Sequence, residues 1–131
     1  MENVLTVVDK KMVSLIKENE LEDLIKPLQH EILLFDSFVA GTANIKDETV
    51  FRELKKGDTL RLIREPDNKF DENAILVIDT KNRKLGYIPE KDNIVFARLM
   101  DAGKYLTAKT ESVDLHSSFR KINIGIYLVD Y

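Results

Sequence analysis

The chain has 131 residues, 44% hydrophobic and 33% charged, with a net charge of −3. That length supports one core, and the composition is that of a globular protein, which excludes disordered and fibrous classes. There is no cysteine, so disulfides, thiolate catalysis and thiolate metal sites are excluded. The acidic balance gives no bulk attraction to nucleic acid, and any such binding must come from a small local site.

In chain order, residues 1–28 read as a helical extension. Leu5, Val8, Met12 and Leu15 recur at heptad-like spacing, a stripe suited to packing on the main body, to self-association or to a protein partner. Val4 to Val8 is β-branched enough for a short strand instead, so helix is firm only from Asp9. Pro27 ends a second short helix that starts at Glu20. The longest unbroken run of Ile, Leu, Val or Phe is Ile32-Leu33-Leu34-Phe35, too short to span a bilayer. No basic leader precedes an apolar segment in MENVLTVVDKK, so a cytoplasmic location without membrane contact is expected.

From about residue 29 to 131 the period changes to two, the signature of strands. Glu31 to Gly41 is apolar on both alternations, as in a strand covered on both faces, and Gly41 marks a bend or bulge. Val50 to Leu54 fits a helical turn, and Gly57-Asp58 is turn chemistry before a strand from Thr59 to Glu65. Ala74 to Asp79 and Lys84 to Ile88 form a hairpin through Thr80-Lys81-Asn82-Arg83. Asn93 is placed to cap a helix that Gly103 stops. Tyr105 to Leu115 and Phe119 to Val129 make two long strands, with Ile122, Ile124, Ile126 and Leu128 on one face. The fold expected is mainly β: a small antiparallel barrel of about six strands with one inserted helix, plus the helical N-terminal extension.

The most specific stretch is Arg64-Glu65-Pro66-Asp67-Asn68-Lys69-Phe70-Asp71-Glu72-Asn73-Ala74-Ile75, followed by Gly86-Tyr87-Ile88-Pro89 and a helix ending Leu99-Met100-Asp101-Ala102-Gly103. With Gly41 and Gly57-Asp58-Thr59-Leu60-Arg61-Leu62 ahead of it, this order and spacing resembles the HIRAN domain family over about Ile32 to Leu128. The resemblance implies an OB-like barrel that binds single-stranded DNA by capturing a free 3′ end. It implies Asp71 as acceptor for the 3′-hydroxyl, Phe70 against the terminal nucleotide and Tyr87 lining the same pocket; recognition is expected through Phe70, Asp71, Asn73 and Tyr87, with Arg64 assisting. Stacking and phosphate contacts are how such barrels hold single strands. The chain departs from the family at Thr42-Ala43-Asn44-Ile45, where relatives carry a basic residue and tyrosines, and at Glu90, where relatives offer lysines.

Other readings of the same residues stand beside this one. Asp67, Asn68, Asp71 and Asn73 have side chains that mimic backbone turns, so the corner can be purely structural. Arg64 can pair with phosphate, or with Glu65 or Asp71. Lys69 and Glu72 stand where a calcium loop needs an oxygen ligand and a glycine, and the two histidines are far apart, so neither metal nor cofactor is expected. Asp114-Leu115-His116-Ser117-Ser118 holds the residue types of a hydrolase triad, but adjacent residues cannot converge and no elbow glycines flank the serines. A non-catalytic binding module is therefore expected, for single-stranded or 3′-end DNA. The alternative is a protein-interaction module on the same barrel, using an edge strand or the Leu5/Val8/Met12/Leu15 stripe.

Overall fold

The computed structural model describes residues 30–116 and 119–130, and Glu31–Asp130 forms one compact unit. The expected N-terminal helices, with Leu5, Val8, Met12 and Leu15, lie outside the described residues. Six strands form one sheet: β1 (His30–Phe38), β2 (Thr59–Arg64), β3 (Ile75–Ile78), β4 (Lys84–Tyr87), β5 (Leu106–His116) and β6 (Phe119–Asp130). Among the described residues two α-helices interrupt them, the short α1 (Thr49–Glu53) and the longer α2 (Glu90–Asp101), besides a 3-10 turn at Thr42–Asn44.

The strand order is β1-β6-β5-β2-β3-β4, so the sheet is open, with β1 and β4 at its two ends. One antiparallel bridge, Ala40 to Tyr87, connects the chain just after β1 with β4. Ala40 N–H donates to Tyr87 O at 2.7 Å, and Tyr87 N–H returns a bond to Ala40 O at 2.9 Å. Gly86 makes this approach possible. A Cβ there would lie 2.1 Å from the Ala40 carbonyl oxygen and 2.8 Å from Val39 Cγ1, inside any tolerable contact.

The core collects on one side of the sheet. Leu60, Ile75, Val77, Leu85, Ala108, Ile122, Ile124 and Ile126 are buried, closed over by Phe51 of α1 and by Phe96 and Ala97 of α2. Ile122, Ile124 and Ile126 face inward together as their period-two spacing predicts, and Leu128 packs partly buried against them. Burying each such side chain is worth about 1.5–3 kcal/mol. The longest pairing, β5 with β6, carries a register shift between Thr110 and Ser112, so Glu111 is the extra residue of a bulge.

Two expectations need correction. β1 is not covered on both faces: Ile32, Leu33, Leu34 and Phe35 are all exposed, at 37–49%. The reason is packing: a strand's faces are buried only by what lies above and below the sheet, and among the described residues β1 meets such a partner only in part, as where Phe35 lies 5.9 Å from Phe96. Helix α2 starts at Glu90 rather than at Asn93, with Pro89 in extended conformation (φ −56, ψ 141) at its N-cap. Proline suits a helix start because no backbone donor is needed there, and Glu90 and Asp92 add carboxylates to the first turn. Gly103, at φ 90, ends the helix as expected. Its N–H bonds Met100 O and Lys104 N–H bonds Leu99 O, both at 3.0 Å, the pairing of a left-handed glycine terminus.

Candidate functional site

The corner between β2 and β3 is built by its own side chains. Asn68 Oδ1 accepts from the N–H groups of Phe70 and Asp71 at 2.9 and 3.1 Å. Asp71 Oδ1 accepts from Asn73 N–H at 2.9 Å, and Ala74 N–H closes the turn onto Asp71 O at 3.1 Å. Short polar side chains can substitute for backbone acceptors in this way, so the corner's shape follows from its local sequence.

Three longer-range contacts fasten that shape. Asn93, buried in α2, donates from Nδ2 to Asp71 Oδ2 at 2.6 Å. Glu65 Oε1 accepts from both the Tyr87 hydroxyl at 2.8 Å and Asn68 Nδ2 at 3.1 Å. The Tyr87 hydrogen bond foremost, then that of Asn68, holds the Glu65 carboxyl below its ordinary pKa. Arg64 grips Asp101 with Nε at 2.9 Å and Nη2 at 3.2 Å, and donates to the carbonyls of Ala74 and Glu72 at 2.7 and 3.0 Å. That clamp joins the corner to the end of α2, and its hydrogen bond to the Asp101 carboxylate lowers the pKa of that acid.

A cavity of about 250 Å³ opens beside the corner, lined by Asn68, Phe70, Asp71, Tyr87, Ile88 and Glu90 together with Ala40, Gly41 and Ala74. Phe70 stands at its mouth with 94% of its surface exposed. Each Asp71 oxygen has one partner, from Asn73 or Asn93, and a carboxylate has about four acceptor positions. Acceptor capacity for a ligand hydroxyl is therefore left. Lys84 contacts the wall residue Tyr87, donating to its hydroxyl at 3.0 Å and lying 4.7 Å from the centre of its ring.

The structure thus brings Phe70, Asp71 and Tyr87 to one cavity. Asn73 supports it through its backbone N–H. Arg64 does not line it: its pairing is with Asp101, neither Glu65 nor Asp71 nor the cavity. Sequence reasoning passed over Glu65 and Asn93 as site residues. Glu65 carries no local signal, and Asn93 has the chemistry of a cap because it precedes an apolar helical stretch. Among the described residues no three His, Asp or Glu side chains could hold a metal ion together, and no described helix is long and apolar enough to cross a membrane.

Comparison with known proteins supplies independent observations. No curated protein matches the chain. A crystal structure of a protein from Lactobacillus plantarum is similar at 27% identity and a TM-score of 0.71, covering 79% of this chain and 99% of that one. The crystal structure of the HIRAN domain of human HLTF shares the fold at 17% identity and a TM-score of 0.61, covering 76% of this chain and 78% of that one. The model of the HIRAN domain family matches residues 32–129. That span takes in all of the corner and its cavity, and the chain belongs to the HIRAN domain family.

Proposed function

We propose that this domain is a non-catalytic DNA-binding module that captures the free 3′ end of single-stranded DNA in the cavity beside the corner. The observation that carries this reading is the Asp71 carboxylate, fixed by Asn73 and Asn93 at a cavity whose mouth holds an almost fully exposed Phe70. An exposed aromatic ring offers a stacking surface for a base, worth ~1–3 kcal/mol. An ionised carboxylate accepts a hydrogen bond from a terminal hydroxyl and repels a terminal phosphate, so the same group selects the end and rejects its phosphorylated form. Processing of DNA ends in repair is the setting this chemistry fits.

The test is fluorescence anisotropy at low salt with labelled single strands ending in 3′-hydroxyl or 3′-phosphate. The wild-type domain binds the hydroxyl end preferentially. Asp71→Ala reduces that preference about tenfold or more, the scale of a lost hydrogen bond to a charged group. An equal loss of affinity for both ends would sink the end-capture reading. No binding of either strand would turn attention to a protein partner, for which exposed Ile32, Leu33, Leu34 and Phe35 of β1 are the surface.

A further inference from the structure

A second, larger cavity of about 620 Å³ shares Gly41 and Tyr87 as walls with the cavity at Asp71. Its floor is apolar, from Ile45, Val50 and Leu85, and its rim carries Lys46, Lys84 and Arg83. Its one acid, Asp47, is already engaged: Oδ1 accepts from Thr49 N–H at 2.9 Å and from Thr49 Oγ1 at 2.6 Å. Arg83 is committed to Asp79 and Glu53. Lys46 and Lys84 form no ion pair with a described carboxylate, so their charge is available to a ligand.

We propose that this groove takes the nucleotides immediately upstream of a 3′ end seated at Asp71, with Lys46 and Lys84 contacting phosphates and the apolar floor receiving a base. The inference rests on the end-capture reading and adds a direction to it. The Asp71 cavity is lined by the acidic Glu90 and by the Gly41–Tyr87 wall that it shares with the groove. A polyanion takes the side that carries the lysines. The groove has about two and a half times the volume of the end cavity, space for more than one further unit of the chain. Positions 42–45, where the resemblance implies phosphate and stacking contacts, instead give Asn44 and Ile45 to the groove wall. The cations come from the loop ahead of α1 and from β4.

Lys46→Glu tests this, because Lys46 is exposed and makes no described side-chain hydrogen bond that the fold would lose. Lys104→Glu is the control, exposed and beyond the C-terminal end of the 12-residue helix whose first residue, Glu90, lines the end cavity. Binding of a dinucleotide and an octanucleotide with 3′-hydroxyl ends, and of the octanucleotide with a 3′-phosphate, is measured across a salt series. Lys46→Glu weakens the octanucleotide on the order of fivefold to tenfold at low salt. It lowers the slope of log affinity against log salt by about 0.7, the value for one phosphate contact on a single strand. The hydroxyl-over-phosphate preference stays at the wild-type value, and Lys104→Glu binds as wild type. An unchanged octanucleotide affinity with the end preference intact overturns the groove assignment and leaves end capture standing. An equal loss in Lys104→Glu also overturns it, since bulk charge then explains the effect. Failure of the wild-type domain to bind either strand removes both readings.

Discussion

Glu65 shows how one side chain holds a site together. Its Oε1 receives the hydroxyl of Tyr87 from β4 and the amide of Asn68 from the corner, and Asn68 in turn sets the backbone of Phe70 and Asp71. Glu65→Ala leaves two donors without their acceptor and should cost about 1 kcal/mol, whereas Glu65→Gln keeps a carbonyl oxygen in place and should recover most of it. The pH dependence has a definite sign. A carboxyl whose pKa is lowered on folding contributes stability above its unfolded pKa, and that contribution is lost as pH falls through the folded value. Urea unfolding at neutral and acid pH should therefore show a wild-type advantage over Glu65→Gln that fades in acid. A constant difference across that range would assign the effect to packing rather than to charge.

At the scale of elements, the approach of the post-β1 segment to β4 depends on a missing side chain. Gly86→Ala must displace the Ala40 backbone, because the nearest atom to the new Cβ is a carbonyl oxygen and not the end of a flexible chain. A loss of about 2–3 kcal/mol is expected, in the range of overpacked sites. Hydrogen exchange would locate the damage, with the amides of Ala40 and Tyr87 losing protection first. Retained protection at both would show that the sheet absorbs the methyl group elsewhere. Elements whose signals are local were legible in the sequence: the β3–β4 hairpin, the long β5–β6 pair, the end of α2 at Gly103 and the corner. The start of α2 and the covering of β1 were not. The first is hidden because Asn93 has the chemistry of a cap, and the second because burial is a property of neighbours.

Across the whole molecule, the bulge in β5 reaches over β6 to β1, the end strand of the sheet. Glu111 lies over β6 where Gly125 has no side chain, its Oε1 only 2.9 Å from where a Cβ would be, and its carboxyl meets that of Asp36 in β1. The shared hydrogen bond first, then desolvation and the Asp36 charge, raise the Glu111 pKa. A raised carboxyl pKa gives stability that is fully present below the unfolded value and lost as pH rises through the folded one. Glu111→Gln carries no proton to lose, so its Tm should exceed that of wild type at neutral pH, with the gap closing in acid. A gap independent of pH would show that the two carboxyls do not share a proton.

Residue order along the chain was enough to give the alternation of strands and turns, the family and the three residues that meet at the cavity, Phe70, Asp71 and Tyr87. Those features rest on contacts between near neighbours or on a long stretch of motif, both of which are written in one dimension. The partners of Arg64 and Asp71 were settled only by folding. Arg64 finds Asp101 across 37 residues and Asp71 finds Asn93 across 22, and nothing in either local sequence selects one acid or amide over another. The groove beside Tyr87 is of the same kind. Its lysines come from a loop and a strand far apart in sequence, and they meet because the Ala40–Tyr87 bridge brings the post-β1 backbone against β4.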